Sequence, residues 1–141
     1  RRILSLHRVI NIGLVGVGNL GQALLRYRAN KQKRPGSGEG LRIVAAFDKD
    51  KRKCGQEIAG VKIYPVEQMP ELIRELGLEI MILTVPADAA PAVFEQCVRN
   101  GVKAFLNFAP VKLVPPAGVR VHHSDVTLEL ESLAYYTDEK E

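Results

Sequence analysis

The sequence predicts an α/β domain built on a doubly wound parallel sheet, and three observations lead there. Apolar runs of strand length alternate with stretches of helical period along most of the chain. The run Glu79–Val85 is almost wholly apolar, as expected of a parallel strand covered on both faces. A glycine-rich turn, Gly16-Val17-Gly18-Asn19-Leu20-Gly21, joins the first strand candidate to the first helix candidate.

The elements follow in order. Val9–Val15 is the first strand, and Asn19–Arg28 the first helix, with Leu20, Ala23, Leu24 and Tyr27 at helical spacing. Asn30–Gly40, with Pro35, Gly36 and Gly38, is a polar surface insertion. Leu41–Phe47 is a second buried strand and Lys62–Tyr64 a short third. Val66–Leu76 is helical, with Met69, Leu72, Ile73 and Leu76 on one face. After the strand Glu79–Val85, Asp88 is placed to cap a helix that runs to about Asn100 and stops at Gly101. Lys103–Asn107 is a fifth strand, and Gly118–Val121 a sixth beyond the Pro115-Pro116 break. Asp125–Thr137 reads as a terminal helix capped by Ser124 or Asp125. Its Val126, Leu130, Leu133 and Ala134 form one apolar face; Leu128, Tyr135 and Tyr136 form a second. A helix apolar on two faces needs more cover than one sheet provides. Either it is sandwiched within its own chain or it inserts into a neighbour.

Chemistry concentrates at the glycine turn. G-x-G-x-x-G between strand and helix is the fingerprint of a dinucleotide-binding Rossmann turn; the alternative is a purely structural turn. Gly16 permits the tight turn, Gly18 lets backbone approach a pyrophosphate, and Gly21 lets the helix pack close to the sheet. The helix N-terminus offers unpaired N–H groups to the phosphates. Asp48, ending the second strand, is the expected acceptor for adenosine ribose hydroxyls. Its carboxylate repels a 2′-phosphate and so favours NAD over NADP. The cationic run Lys49, Lys51, Arg52, Lys53 complicates that preference, because such residues could neutralise an extra phosphate; the plainer reading is a solvated loop. Ligands in open α/β sheets sit at the carboxyl ends of strands. That places Thr84-Val85-Pro86-Ala87 and Asn107-Phe108-Ala109-Pro110 beside an amphipathic nicotinamide–ribose. The competing account is ordinary loop chemistry, in which Asn107 satisfies local backbone.

Composition narrows the class. A chain of 141 residues suits one domain with a single core. With 46% hydrophobic residues and no long apolar run, it contains no membrane span, and no signal peptide is evident. Cys54 and Cys97 form neither a metal spacing nor a disulfide framework, which fits a reducing cytoplasm, and Cys97 reads as a small buried apolar residue. The net charge of +4 is mild and scattered, so it gives no footprint for nucleic acid. A hydride acceptor needs an acid or base beside it, commonly His, Lys or Tyr, and none of the histidines stands on a loop where the nicotinamide is expected. His7 precedes the first strand. His122 and His123 follow the sixth, on opposite faces, and make no convincing metal pair. The chain can hold a dinucleotide but shows no catalytic residue and no substrate domain, which favours a sensor over an enzyme.

Five blocks, in this order, carry a resemblance: Gly-Val-Gly-Asn-Leu-Gly, Ala-Ala-Phe-Asp, Ile-Leu-Thr-Val-Pro-Ala, Leu-Asn-Phe-Ala-Pro-Val and Asp-Val-Thr-Leu-Glu-Leu-Glu-Ser-Leu-Ala-Tyr-Tyr. Over about residues 11–137 the chain resembles the redox-sensing transcriptional repressor Rex family. The resemblance implies an NAD(H)-binding Rossmann domain (11–122) of a homodimeric repressor, and a terminal helix (123–141) swapped across the dimer. Residues 1–10 would be the remnant of a linking helix. The family's winged-helix domain, which binds operator DNA, would lie outside this chain. Carried over by position, Gly16, Val17, Gly18, Asn19, Leu20 and Gly21 match the phosphate turn. Asp48 and Lys49 match the ribose end, and Thr84, Val85, Pro86, Asn107 and Phe108 the nicotinamide side. Asp125 matches a polar contact near the dimer interface. A fragment of an NAD-dependent oxidoreductase and a coenzyme A-binding Rossmann domain remain as alternatives. Asp48 speaks against the latter, because coenzyme A carries a 3′-phosphate.

Overall fold

The computed structural model describes residues 8–32 and 40–124. The chain order is β1 (Ile10–Val15), α1 (Asn19–Gln32), β2 (Leu41–Asp48), β3 (Glu57–Ile58), β4 (Val61–Pro65), a 3-10 turn (Val66–Gln68), α2 (Met69–Leu76), β5 (Leu78–Leu83), α3 (Ala90–Arg99), β6 (Ala104–Asn107) and β7 (Arg120–His123). The seven strands form one sheet in the order β3-β4-β2-β1-β5-β6-β7. Every neighbouring pair is parallel except β3 with β4. The chain winds outward from β1 first through β2 and β4, then through β5, β6 and β7. The doubly wound sheet expected from the sequence is therefore the one observed.

Two apolar layers cover it. On one face α1 packs Leu25 with Ile12, Leu14, Val17, Ala46 and Ile63. On the other, Met69 and Ile73 of α2 and Phe94 and Cys97 of α3 pack on Val15, Ala45, Phe47, Met81, Leu83 and Phe105. The rings of Phe94 and Phe105 meet edge to face, 4.7 Å between centroids. The central strands have helices on both sides, which explains their nearly continuous apolar sequences.

Several local expectations are corrected. The buried face of α1 is not Leu20, Ala23, Leu24 and Tyr27: Ala23 is exposed and Tyr27 is 58% exposed, while Gly21 and Leu25 are buried. The cause is Gly21, whose Cα lies so close to the Gly16 carbonyl that a Cβ there would collide with it. That contact turns positions 21 and 25, one helical turn apart, toward the sheet. Helix α1 also continues to Gln32, so Asn30–Gln32 are helical rather than part of the insertion; residues 33–39 lie outside the described residues. The second helical stretch is divided, with a 3-10 turn before α2, where Pro70 occupies the first helical turn. Asp88 does not cap α3. The N-cap is Ala89, without a side-chain bond, and the Pro86 carbonyl accepts the N–H groups of Ala89 and Ala90.

The hairpin β3–β4 went unpredicted because β3 has two residues, too few for a period-2 pattern. Its turn, Ala59-Gly60, has φ of +52° and +83°. Positive φ at both central residues is the type I′ signature, usually announced by Asn-Gly or Asp-Gly rather than Ala-Gly. His122 and His123 do not follow the last strand but end it. His123 Nε2 accepts the Leu113 N–H at 2.9 Å, tying the 108–119 loop to the sheet edge. Ile10 belongs to β1 and His123 to β7, so the expected linker and terminal helix begin no closer than the adjoining residues. Residues 1–7 and 125–141, including Asp125 and the expected terminal helix, lie outside the described residues.

Candidate nucleotide site

One row of sheet partners runs Tyr64, Phe47, Val15, Leu83, Asn107, His123. Because that row is in register, the positions just beyond it share a single edge of the sheet: Asp48, the last residue of β2, and Gly16, Thr84 and Phe108, where the chain leaves the sheet. Backbone bonds fix the exits. Gly16 N–H donates to Phe47 O at 2.8 Å, Thr84 N–H to Val15 O at 2.9 Å, and Phe108 N–H to Leu83 O at 2.8 Å. The chain reverses its direction of winding at β1, so the loops after β1 and β5 part here. A crevice opens at that switch point.

The crevice is a cavity of about 610 Å³. It brings together ten of the residues expected from the sequence: Gly16, Val17, Gly18, Leu20, Asp48, Lys49, Thr84, Val85, Pro86 and Phe108. Three others behave differently. Asn19 and Gly21 belong to the turn but do not line the cavity. Asn107 does not line it either. It is fully buried; its Nδ2 donates to the carbonyls of Ala109 (3.2 Å) and Val111 (2.9 Å), and its Oδ1 accepts the Ala109 N–H at 3.0 Å. Asn107 shapes the loop that carries Phe108 and leaves no group for a ligand. Pro110, expected with its loop, and Lys53, named in the cationic run, also line it; the residues missed are Val15, Val66 and Met69, and Ala89, Ala92, Val93 and Gln96 of the α3 region. The helical residues were legible as core or surface, but nothing in their spacing says which helix leans over the crevice.

The glycine turn is braced from three directions. Gly16 has φ +101°, and a Cβ there would lie 2.7 Å from the Thr84 carbonyl oxygen, so only glycine fits. The Thr84 hydroxyl lies 2.6 Å from Gly16 O and 3.0 Å from Val15 O. A single proton serves one bond at a time, and the shorter is to Gly16. Asp48 accepts the Val17 N–H on Oδ2 at 2.7 Å and the Asp50 N–H on Oδ1 at 2.8 Å. Each carboxylate oxygen retains a lone pair for a further donor. Lys53 Nζ donates to Val17 O at 2.8 Å, so the residue Val17 is held by the acid on its N–H and the ammonium on its carbonyl. Gly18 differs from its neighbours. A Cβ there meets nothing within 4 Å, so its outward side faces open space at the mouth of the crevice.

The cationic run divides in two. Lys51 pairs with Glu67 at 2.7 Å and Arg52 with Asp50 at 3.2 Å, outside the cavity lining. Hydrogen bonding to Lys51 holds the Glu67 carboxyl below its usual range, and the bond to Arg52 does the same for Asp50. Lys49 and Lys53 line the cavity. No group of three His, Cys, Asp or Glu side chains could hold a metal among the described residues.

Fold and glycine turn define a Rossmann domain, and the chain belongs to the family described as CoA binding domain, whose model matches residues 7–111. More narrowly, it is similar to repressors of the Rex family. The redox-sensing transcriptional repressor Rex of Listeria welshimeri is 42% identical over 137 residues, 97% of this chain and 61% of that protein. The Rex repressor of Geobacillus kaustophilus is 42% identical over 136 residues, 96% of this chain and 61% of that protein. The crystal structure of RSP, a Rex-family repressor, superimposes with a TM-score of 0.80 at 30% identity, covering 99% of this chain and 64% of that one. RSP has also been solved with beta-NADH, and with beta-NAD+ and operator DNA. The chain thus spans 61% of the length of these curated relatives. An NAD binding oxidoreductase from Klebsiella pneumoniae, 21% identical with a TM-score of 0.58 over 72% of this chain and 27% of that one, shares the fold alone.

Proposed function

We propose that this chain is the NADH/NAD+-sensing domain of a transcriptional repressor that leaves its operator when NADH binds. The observation that carries the reading is the open side of Gly18 at the mouth of a crevice bounded by Asp48 at one end and Phe108 at the other. The pyrophosphate lies against the turn, where the N-terminus of α1 presents unpaired N–H groups. The adenosine ribose hydroxyls donate to Asp48. The nicotinamide reaches the loops after β5 and β6, where Val85, Pro86, Phe108 and Pro110 make an apolar wall. Oxidised nicotinamide carries a positive charge, and an apolar wall penalises burying it. Neutral NADH therefore binds more tightly.

Among the described residues the site contains positioning groups and no acid or base aimed at the nicotinamide end, which supports a sensing role over catalysis. DNA is contacted through a winged-helix domain outside this chain, and the site of action is the cytoplasm. The functional unit is a homodimer with the segment from Asp125 onward exchanged between subunits. NADH shifts the dimer to a closed form that cannot place both winged helices on the operator. Such a shift requires only that the ligand prefer one form.

The family's description names coenzyme A, so the test includes it. Titration calorimetry of this chain with NADH, NAD+ and coenzyme A should rank NADH first and NAD+ at least tenfold weaker. Coenzyme A binding more tightly than NADH, or no binding of NADH, would return the site to another ligand.

A further inference from the structure

The loop after β6 is tied to the sheet at alternate residues. Asn107 Nδ2 donates to the carbonyls of Ala109 and Val111, and His123 Nε2 accepts the Leu113 N–H at 2.9 Å. Asn107 and His123 are register partners on β6 and β7, so both side chains stand on one face of the sheet. The first anchor is an amide, which does not titrate. The second is an imidazole, the side chain that changes charge between about pH 5 and 8. Its bond to Leu113 fixes the tautomer, with the lone pair on Nε2 and the proton on Nδ1. A second proton goes to Nε2 and turns the acceptor into a donor facing a donor.

The same loop forms a wall of the crevice. Pro110 lines the crevice on one side and, on the other, a hollow shared with Ala109, Val111, Lys112, His123 and Ser124. His123 therefore stands behind the wall that Phe108 and Pro110 turn toward the ligand. It is exposed, so protons reach it from solvent. Among the described residues no carboxylate lines the hollow, and Lys112 opposes a second positive charge there. Arg120 and His122 alternate to the opposite face of β7. Glu95 and Arg99 of α3 share a separate groove with Leu113, away from His123.

We infer that His123 is a positioning residue for the nicotinamide end of the crevice: its unprotonated Nε2 holds residues 108–113 ready for the ligand, and NADH affinity falls as pH falls. The inference rests on the dinucleotide reading and gives the same site a second input, the proton. Once the Leu113 bond is lost, the wall must be ordered again on binding. The expected weakening is about threefold to tenfold, the size of one neutral hydrogen bond.

The test combines calorimetry of NADH binding at pH 8 and pH 6 with long-range proton–nitrogen NMR of the imidazoles. At pH 8, His123 should carry its proton on Nδ1, and the Leu113 amide resonance should shift along the His123 titration curve. NADH should bind about threefold to tenfold more weakly at pH 6. His123→Gln, whose amide oxygen can accept the Leu113 N–H at any pH, should bind as the unaltered chain does at pH 8 and lose the pH dependence. His123→Ala should bind more weakly at pH 8 and show no pH dependence either. His122→Gln should keep the full dependence. A proton on Nε2 at pH 8 overturns the proposal, as does full affinity in His123→Ala. So does a pH dependence that survives in His123→Gln or disappears in His122→Gln. An NADH affinity that is equal at both pH values overturns the role of His123 alone. No NADH binding at either pH overturns the dinucleotide reading and this inference with it.

Discussion

Gly18 and Gly21 stand three residues apart in one motif and answer to different forces. A Cβ on Gly18 meets open space, whereas one on Gly21 runs into the Gly16 carbonyl. Gly18→Val should therefore leave the melting temperature nearly unchanged while abolishing NADH binding, because the new side chain occupies the pyrophosphate's approach. Gly21→Ala should behave in the opposite manner. It should cost about 1–3 kcal/mol of stability, the usual range for overpacking, read from denaturant midpoints. If Gly18→Val bound NADH normally, residues 16–21 would not be the phosphate turn. The sequence motif names both glycines. Which one faces open space and which one guards the packing depends on what stands opposite each, and that is tertiary.

At the scale of elements, legibility follows length and burial. The central strands β1, β2 and β5 announce themselves because helices cover both faces and force apolar sequence throughout. The hairpin β3–β4 is silent: two residues pair with β4 across a turn in which Ala59 is held at φ +52°. An L-residue in this region carries a cost that Asn bears more easily. Ala59→Asn should stabilise the domain by about 0.5–1 kcal/mol, measured as a rise in the denaturation midpoint with an unchanged slope. A drop in stability would mean that the hairpin does not form this turn. In α3, Cys97 is wholly buried, and loss of hydration pushes its thiol up to about 12. The thiol is raised in the fold relative to about 8.5 in the unfolded chain. The neutral form is thus the stable one below about pH 8.5, and its contribution fades as pH rises from there toward 12. Iodoacetamide at pH 8 should modify half-buried Cys54 and spare Cys97 until denaturant is added. Rapid labelling of both thiols in the native domain would refute the burial of Cys97.

At the scale of the whole molecule, the proposed exchange of the segment after Ser124 is open to a direct test. The two apolar faces expected from its sequence need more cover than one surface gives, and burying a large side chain is worth about 1.5–3 kcal/mol. Leu128, Leu133, Tyr135 and Tyr136 together are therefore enough to decide association. Deleting residues 125–141 should convert the proposed dimer into a monomer or an aggregating species by light scattering. A truncated chain that stays a well-behaved dimer would return the segment to its own subunit.

The sequence by itself determined the winding of the sheet, the candidate phosphate turn, and the family resemblance. Those depend on local matters: apolar period, glycine spacing and ordered blocks of residues along one chain. Only the tertiary structure decided that Asn107 is consumed by its own loop and that Val66, Met69 and Gln96 lean over the crevice. It also separated Lys49 and Lys53, facing the cavity, from Lys51 and Arg52, paired outside it. Each of these outcomes is a choice among partners for a polar or apolar group. The partners are brought together by parallel strands whose contacts lie far apart along the chain, which no window of sequence contains.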